Sequence, residues 1–169
     1  MEQKVMTHFT KGLLIGLVIV IIYIGGYFAK LAEQGWFGWL VDCIIVAGMI
    51  WACIMYANQK DGQVTFGNVF AHGFKTTAIV TLILIAYMLL SLTLIFPEAK
   101  DKALEIARER MEEQGKMSSE QIDQAVEWTK SFFMPIAIGA TLLSTLFFGA
   151  IGSLIGAAAS KKNPVNPIA

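Results

Sequence analysis

Charge is scarce in this chain. Only 15% of its 169 residues are charged, against about 25% in an ordinary soluble domain. Four long stretches hold almost none of it, so a water-facing surface on those segments is excluded. The 13 basic and 13 acidic residues cancel, which removes the global field that would favour nucleic acid. Cysteine is nearly absent too. Cys43 and Cys53 lie ten residues apart in one apolar stretch, about 15 Å along a helix, too far for a disulfide. Both are expected as buried thiols packing as small apolar groups. No Cys/His spacing suggests a metal, and no nucleotide-binding loop, HExxH or GxSxG appears. No catalytic, cofactor-binding or metal-ligating residue is therefore assigned, no cofactor is expected, and the chain reads as a non-enzyme.

What is present is apolar length. Residues 12–29, 36–57, 77–96 and 132–159 each hold about 18–28 mostly apolar side chains, and about 20 residues of helix cross a 30 Å hydrocarbon layer. The fold class expected is all-α: an integral membrane protein with four transmembrane helices. The polar residues 97–131 form an extramembrane helical hairpin between spans three and four. Residues 1–169 make a single domain. The first span is too long before a small-residue site to be a cleaved signal peptide, so it reads as a retained helix. Its β-branched run from Val18 would suggest a strand in water, but lipid demands internally bonded backbone.

Local signals place the joints. Trp36 and Trp39 mark one membrane–water boundary, and Trp51 and Tyr56 a second. Asp61-Gly62 is a turn. Thr65 is an N-cap candidate for an amphipathic stretch carrying Phe66, Phe70 and Phe74, which runs toward the third span. Pro97 bars that span from continuing. In the insert, Arg108 and Glu112 stand at helical i,i+4 spacing, Gly115 sits where a terminating glycine belongs, and Ser118 with Gln121 forms a capping box that restarts a helix. Pro135 marks a kink or the true start of the fourth span.

Small residues supply the packing signal. Gly12 and Gly16 have the spacing that lets helices approach closely. Thr141, Thr145, Gly149, Ser153 and Ala157 recur every four residues, with Gly152, Gly156 and Ser160 beside them. The reading favoured is internal packing of the fourth span on the first, with self-association as the alternative. Orientation is nearly balanced. Termini inside would place Lys4, Lys11, Lys60, Lys75, Lys161 and Lys162 in the cytoplasm, six residues, against Lys30 plus six bases of the insert, seven. The first helix usually dominates, which favours both termini inside.

Asp42 is the one charged residue within the four stretches, and such a residue flags a functional site. It reads either as a structural ion pair or hydrogen bond near the interface, or as an ion or proton site. His72 lies at the opposite face of the bilayer from Asp42 and reads as an interfacial polar residue. His8 carries no assignment. Ser91, Thr93, Thr141 and Ser144 are expected to bond back to their own helix.

Residues 15–24, the Gly62-Gln63-Val64-Thr65-Phe66-Gly67 entry with Phe70 and Gly73-Phe74-Lys75, the Lys116-Met117-Ser118-Ser119-Glu120 segment and the small-residue fourth span ending in Lys161-Lys162 resemble a bacterial family of four-span membrane proteins, domain of unknown function 4199. The resemblance implies this architecture and an inner-membrane location, and it carries over no functional residue. The function expected is a non-enzymatic scaffold or partner subunit. Its partners would be the lipid bilayer and a homo-oligomer or other membrane protein, with no nucleic acid. The alternative is a transporter or channel component using Asp42 in an oligomer.

Overall fold

The computed structural model describes residues 6–31 and 34–163; Lys4 and the middle of the first connection lie outside the described residues. All regular structure among them is helical: α1 (His8–Phe28), α2 (Gly35–Gln59), α3 (Phe66–Leu90) running into a π-helical segment Ser91–Ile95, α4 (Glu98–Gln114), α5 (Ser119–Ser131) and α6 (Phe133–Ala159). Four stretches are long and apolar enough to cross a membrane: His8–Phe28, Gly35–Gln59, Phe66–Ile95 and Phe133–Ala159. Two boundaries move relative to the sequence expectation. α1 begins before Gly12, because the Thr7 side chain accepts from the Thr10 amide and starts the helix early. The amphipathic stretch carrying Phe66, Phe70 and Phe74 is the first part of α3 itself, begun by Thr65, whose hydroxyl accepts from the Asn68 amide at 3.2 Å.

The chain falls into two compact units, Met1–Leu84 with Leu142–Ala169, and Ile85–Thr141. In the first, Ile15 and Ile19 of α1, Phe37, Val41, Ile45 and Met49 of α2, and Val80 and Leu84 of α3 form a buried cluster. The i, i+4, i+8, i+12 series in α2 is one helical face. Cys43 lies about 160° from that face, so it is exposed, whereas Cys53 is buried. This corrects the expectation of two buried thiols. Outward faces carry Leu17, Ile21, Leu82, Leu143 and Phe147, all exposed, as lipid-facing residues should be.

In the second unit α4 and α5 form a hairpin that buries Leu104 and Ile122. Gly115 closes α4 with φ +60, the left-handed conformation glycine adopts without a Cβ penalty. Ser118 and Gln121 complete a reciprocal capping box at the start of α5. Arg108 donates to Glu112 at 3.1 Å and to Asp123 across the hairpin. Hydrogen bonding to Glu112, then the charge of Asp123, hold the guanidinium still further into its protonated range. Pro135 is the third residue of α6 and marks its beginning; it breaks no intrahelical bond there, since the first turn has donors without partners in any case.

Candidate functional site

Glycine sets how closely the helices of the first unit approach. A Cβ built on Gly12 would stand 2.7 Å from Ile79 Cβ, and one on Gly16 would stand 2.8 Å from Ile83 Cδ1, so α1 lies against α3. In α6, a Cβ on Gly149 would collide with Thr77 of α3. One on Gly152 would stand 2.7 Å from the Val46 carbonyl oxygen of α2, and one on Gly156 would stand 2.7 Å from Cys53 Cβ. Ser153 is fully buried opposite Gly73, where an added Cβ would meet its Oγ at 2.6 Å. The fourth span thus packs on α2 and α3, not on the first span as expected. The partner helices offer Thr77, Val46 and Cys53 as compact surfaces, while α1 spends its own glycines on Ile79 and Ile83. The faces of the stripe at Gly149, Gly152, Ser153 and Gly156 are occupied within the protomer.

Hydroxyls along these seams are satisfied locally. Thr76, Thr77 and Thr81 donate to the carbonyls of His72, Gly73 and Thr77, and Ser153 and Ser160 donate to Gly149 and Gly156, at 2.7–3.1 Å. Thr93 bonds back to Leu89 at 2.7 Å as expected. Thr141 instead donates to Met88 Sδ at 3.4 Å, because a sulfur acceptor lies within its reach. Ser144 donates to Asp42 Oδ1 at 3.1 Å. Asp42 is therefore a half-buried carboxylate on α2 held to α6 by a hydroxyl, close to the structural hydrogen bond that one reading of the sequence anticipated.

The most demanding polar group is Lys11, which the sequence offered only as one of the bases on the cytoplasmic side. It is the fourth residue of α1 and has no accessible surface. Its Nζ lies 3.4 Å from the Ala52 carbonyl oxygen, 3.2 Å from Gln59 Oε1 and 3.3 Å from His72 Nε2. Three hydrogen bonds match the three donors of an ammonium, and they tie α1 to α2 and α3 at once. The Tyr56 ring lies beneath at 5.7 Å, a cation–π distance. His72 stacks on Tyr56 with centroids 4.1 Å apart and meets the His8 ring edge-on at 6.0 Å. With Lys11 as the donor, His72 Nε2 must accept, which places the imidazole proton on Nδ1. His72 is thus buried near the start of α3, stacked on Tyr56, bonded to Lys11 and packed against His8, contacts the sequence did not announce.

The signal for this cluster was present but faint. Lys11 precedes Gly12 and Gly16 by one and five residues, on the same inward face of α1. A lysine sharing a face with close-contact glycines cannot reach lipid headgroups without leaving the seam. Around it, Met6, Thr7, His8, Tyr56, Lys60, Asn68, Ala71, His72 and Lys75 line an open cavity of about 420 Å³. Among the described residues no three His, Cys, Asp or Glu side chains are grouped to hold a metal ion.

The chain belongs to the family described as a protein of unknown function, DUF4199, whose model matches residues 10–162. That span takes in Lys11, Gln59 and His72 as well as Asp42. No curated protein and no solved structure matches the chain.

Proposed function

We propose that the protein is a non-catalytic subunit of the bacterial inner membrane, with both termini in the cytoplasm and the α4–α5 hairpin in the periplasm, which engages another membrane protein or a second copy of itself. The hairpin carries this reading. It is a self-contained element with its own buried pair, Leu104 and Ile122, a capping box and an interhelical ion pair. Residues 97–131 hold nine acidic and six basic side chains, a net charge of −3. A folded, polar, charged element inserted in the chain between two apolar spans suits recognition of a partner by complementary charge. The small-residue seam suits that purpose less, because its faces at Gly149, Gly152, Ser153 and Gly156 are already covered.

The test is a photoreactive amino acid placed in intact membranes at Glu109, exposed on the hairpin, or at Leu143, exposed on α6. The reading predicts a discrete protein adduct from Glu109, its mass identifying a second copy or a different partner, and lipid adducts alone from Leu143. Unmodified protein at Glu109 contradicts it.

The alternative of a transporter or channel component rests on Asp42, whose bond to Ser144 joins α2 to α6. Four spans rarely enclose a path alone, so that reading requires an oligomer with Asp42 on a water-filled seam. An aqueous thiol reagent would label an Asp42→Cys variant with Cys43 and Cys53 replaced; protection favours the subunit.

A further inference from the structure

The cavity above Lys11 is lined by His8, Lys60, His72 and Lys75, and among the described residues that line it none is acidic. Asn68, His72 and Lys75 follow one another at i, i+4 and i+7 on α3, a single helical face. They meet the first turn of α1 at Thr7 and His8 and the last turn of α2 at Tyr56 and Lys60. Behind His72 and Tyr56 sits the Lys11 ammonium, whose three hydrogen-bond partners are a carbonyl, an amide oxygen and an imidazole nitrogen, all neutral. A buried cation is costly without a counter-charge, and none of these three supplies one. Positive and hydrogen-donating groups thus surround the cavity on three helices, and its size falls in the range of small-ligand sites, about 300–1,000 Å³. Stacking on Tyr56 fixes the His72 ring, so this wall is set in place before any ligand arrives.

We propose that this cavity binds a phosphate-bearing anion, with Lys60 and Lys75 contacting the oxygens and Lys11 supplying a fixed positive charge beneath. A tetrahedral anion with several acceptor oxygens suits ammonium, amide and hydroxyl donors arriving from different directions. A carboxylate offers two oxygens in one plane and would use fewer of them. The phosphate could belong to an anionic lipid headgroup, since the opening lies at the ends of three spanning helices and basic pockets between spans hold such groups. It could equally belong to a soluble phosphate. The site does not depend on the subunit reading above.

Full-length protein, delipidated in a neutral detergent, would be titrated with phosphatidylglycerol and with phosphatidylcholine and followed by native mass spectrometry. In parallel, thermal unfolding would be followed with inorganic phosphate and with chloride at equal ionic strength. Preference for phosphatidylglycerol of tenfold or more identifies a lipid headgroup. A thermal shift with phosphate that chloride does not reproduce identifies a soluble ligand. In either arm the Lys60→Gln/Lys75→Gln variant weakens binding about thirtyfold, taking about 1 kcal/mol per lysine near a charged surface. The corresponding pair of arginines retains binding, and Lys161→Gln, a lysine outside the cavity, leaves it unchanged. Both lysines are exposed, so folding is not at risk. Equal response to each probe and its control, or a glutamine pair that binds like the wild type, overturns the proposal.

Discussion

Gly152→Ala separates a seam inside the protomer from one between protomers. An alanine in a helix is favoured over glycine by about 1 kcal/mol, so in open space the change should stabilise. At Gly152 the new methyl group would lie 2.7 Å from the Val46 carbonyl oxygen, 2.8 Å from Met49 Cβ and 3.0 Å from Val46 Cα. Carbon atoms prefer separations of about 3.5–4.0 Å. Two of these neighbours are backbone and cannot rotate away, so α2 must shift outward by roughly 0.5–1 Å, a gap that forfeits a quarter to a half of each contact it opens. Overpacking of this kind costs about 1–3 kcal/mol. After the propensity gain, Gly152→Ala should destabilise by up to about 2 kcal/mol. Gly139 has nothing within 4 Å of its added Cβ, so Gly139→Ala should be neutral or stabilise by up to about 1 kcal/mol. Reversible unfolding by dodecyl sulfate in bicelles measures both. The difference should not change with protein concentration. Equal effects from the two variants, or a Gly152→Ala penalty that vanishes on dilution, would refute the internal seam.

Lys11→Ala should destabilise more than Lys11→Met by about 2 kcal/mol or more, because methionine keeps the packed stem and alanine leaves a cavity; equal losses in the same assay would mean the stem is not enclosed. Gly115→Ala should loosen the hairpin by about 1 kcal/mol through its left-handed backbone alone, read as faster hydrogen exchange near the end of α4. Ser118→Ala should cost a similar amount, about 1 kcal/mol, at the start of α5, and protection unchanged in both variants contradicts the hairpin's caps. A lipid-soluble maleimide should modify Cys43 and spare Cys53, and the reverse order would place the wrong face of α2 inward.

Helix positions were readable because lipid leaves the backbone few choices, and length and apolarity mark each span. The Thr65 cap, the Gly115 stop and the Ser118–Gln121 box were readable because each depends on neighbours within a few residues. The pairing of the spans was not. Gly12 and Gly149 each announce a close approach, but the identity of the partner rests on side chains such as Ile79 and Thr77, which look ordinary in sequence. Asp42 drew notice as the one charge within a span. Lys11 did not, because a lysine at a helix start usually reaches the interface, and only the third dimension shows Gln59 and His72 waiting beside it. A cluster drawn from residues 11, 52, 59 and 72 has no spacing to recognise.

The enclosure of Lys11 between α1, α2 and α3 holds the first unit's polar end together, and amine labelling tests it most directly. In bicelles, a water-soluble amine-reactive ester followed by mass spectrometry should modify the exposed Lys60 and Lys75 while Lys11 stays unmodified, and denaturation should make all three react. Lys11 modified in the folded protein as fast as Lys60 would contradict the account.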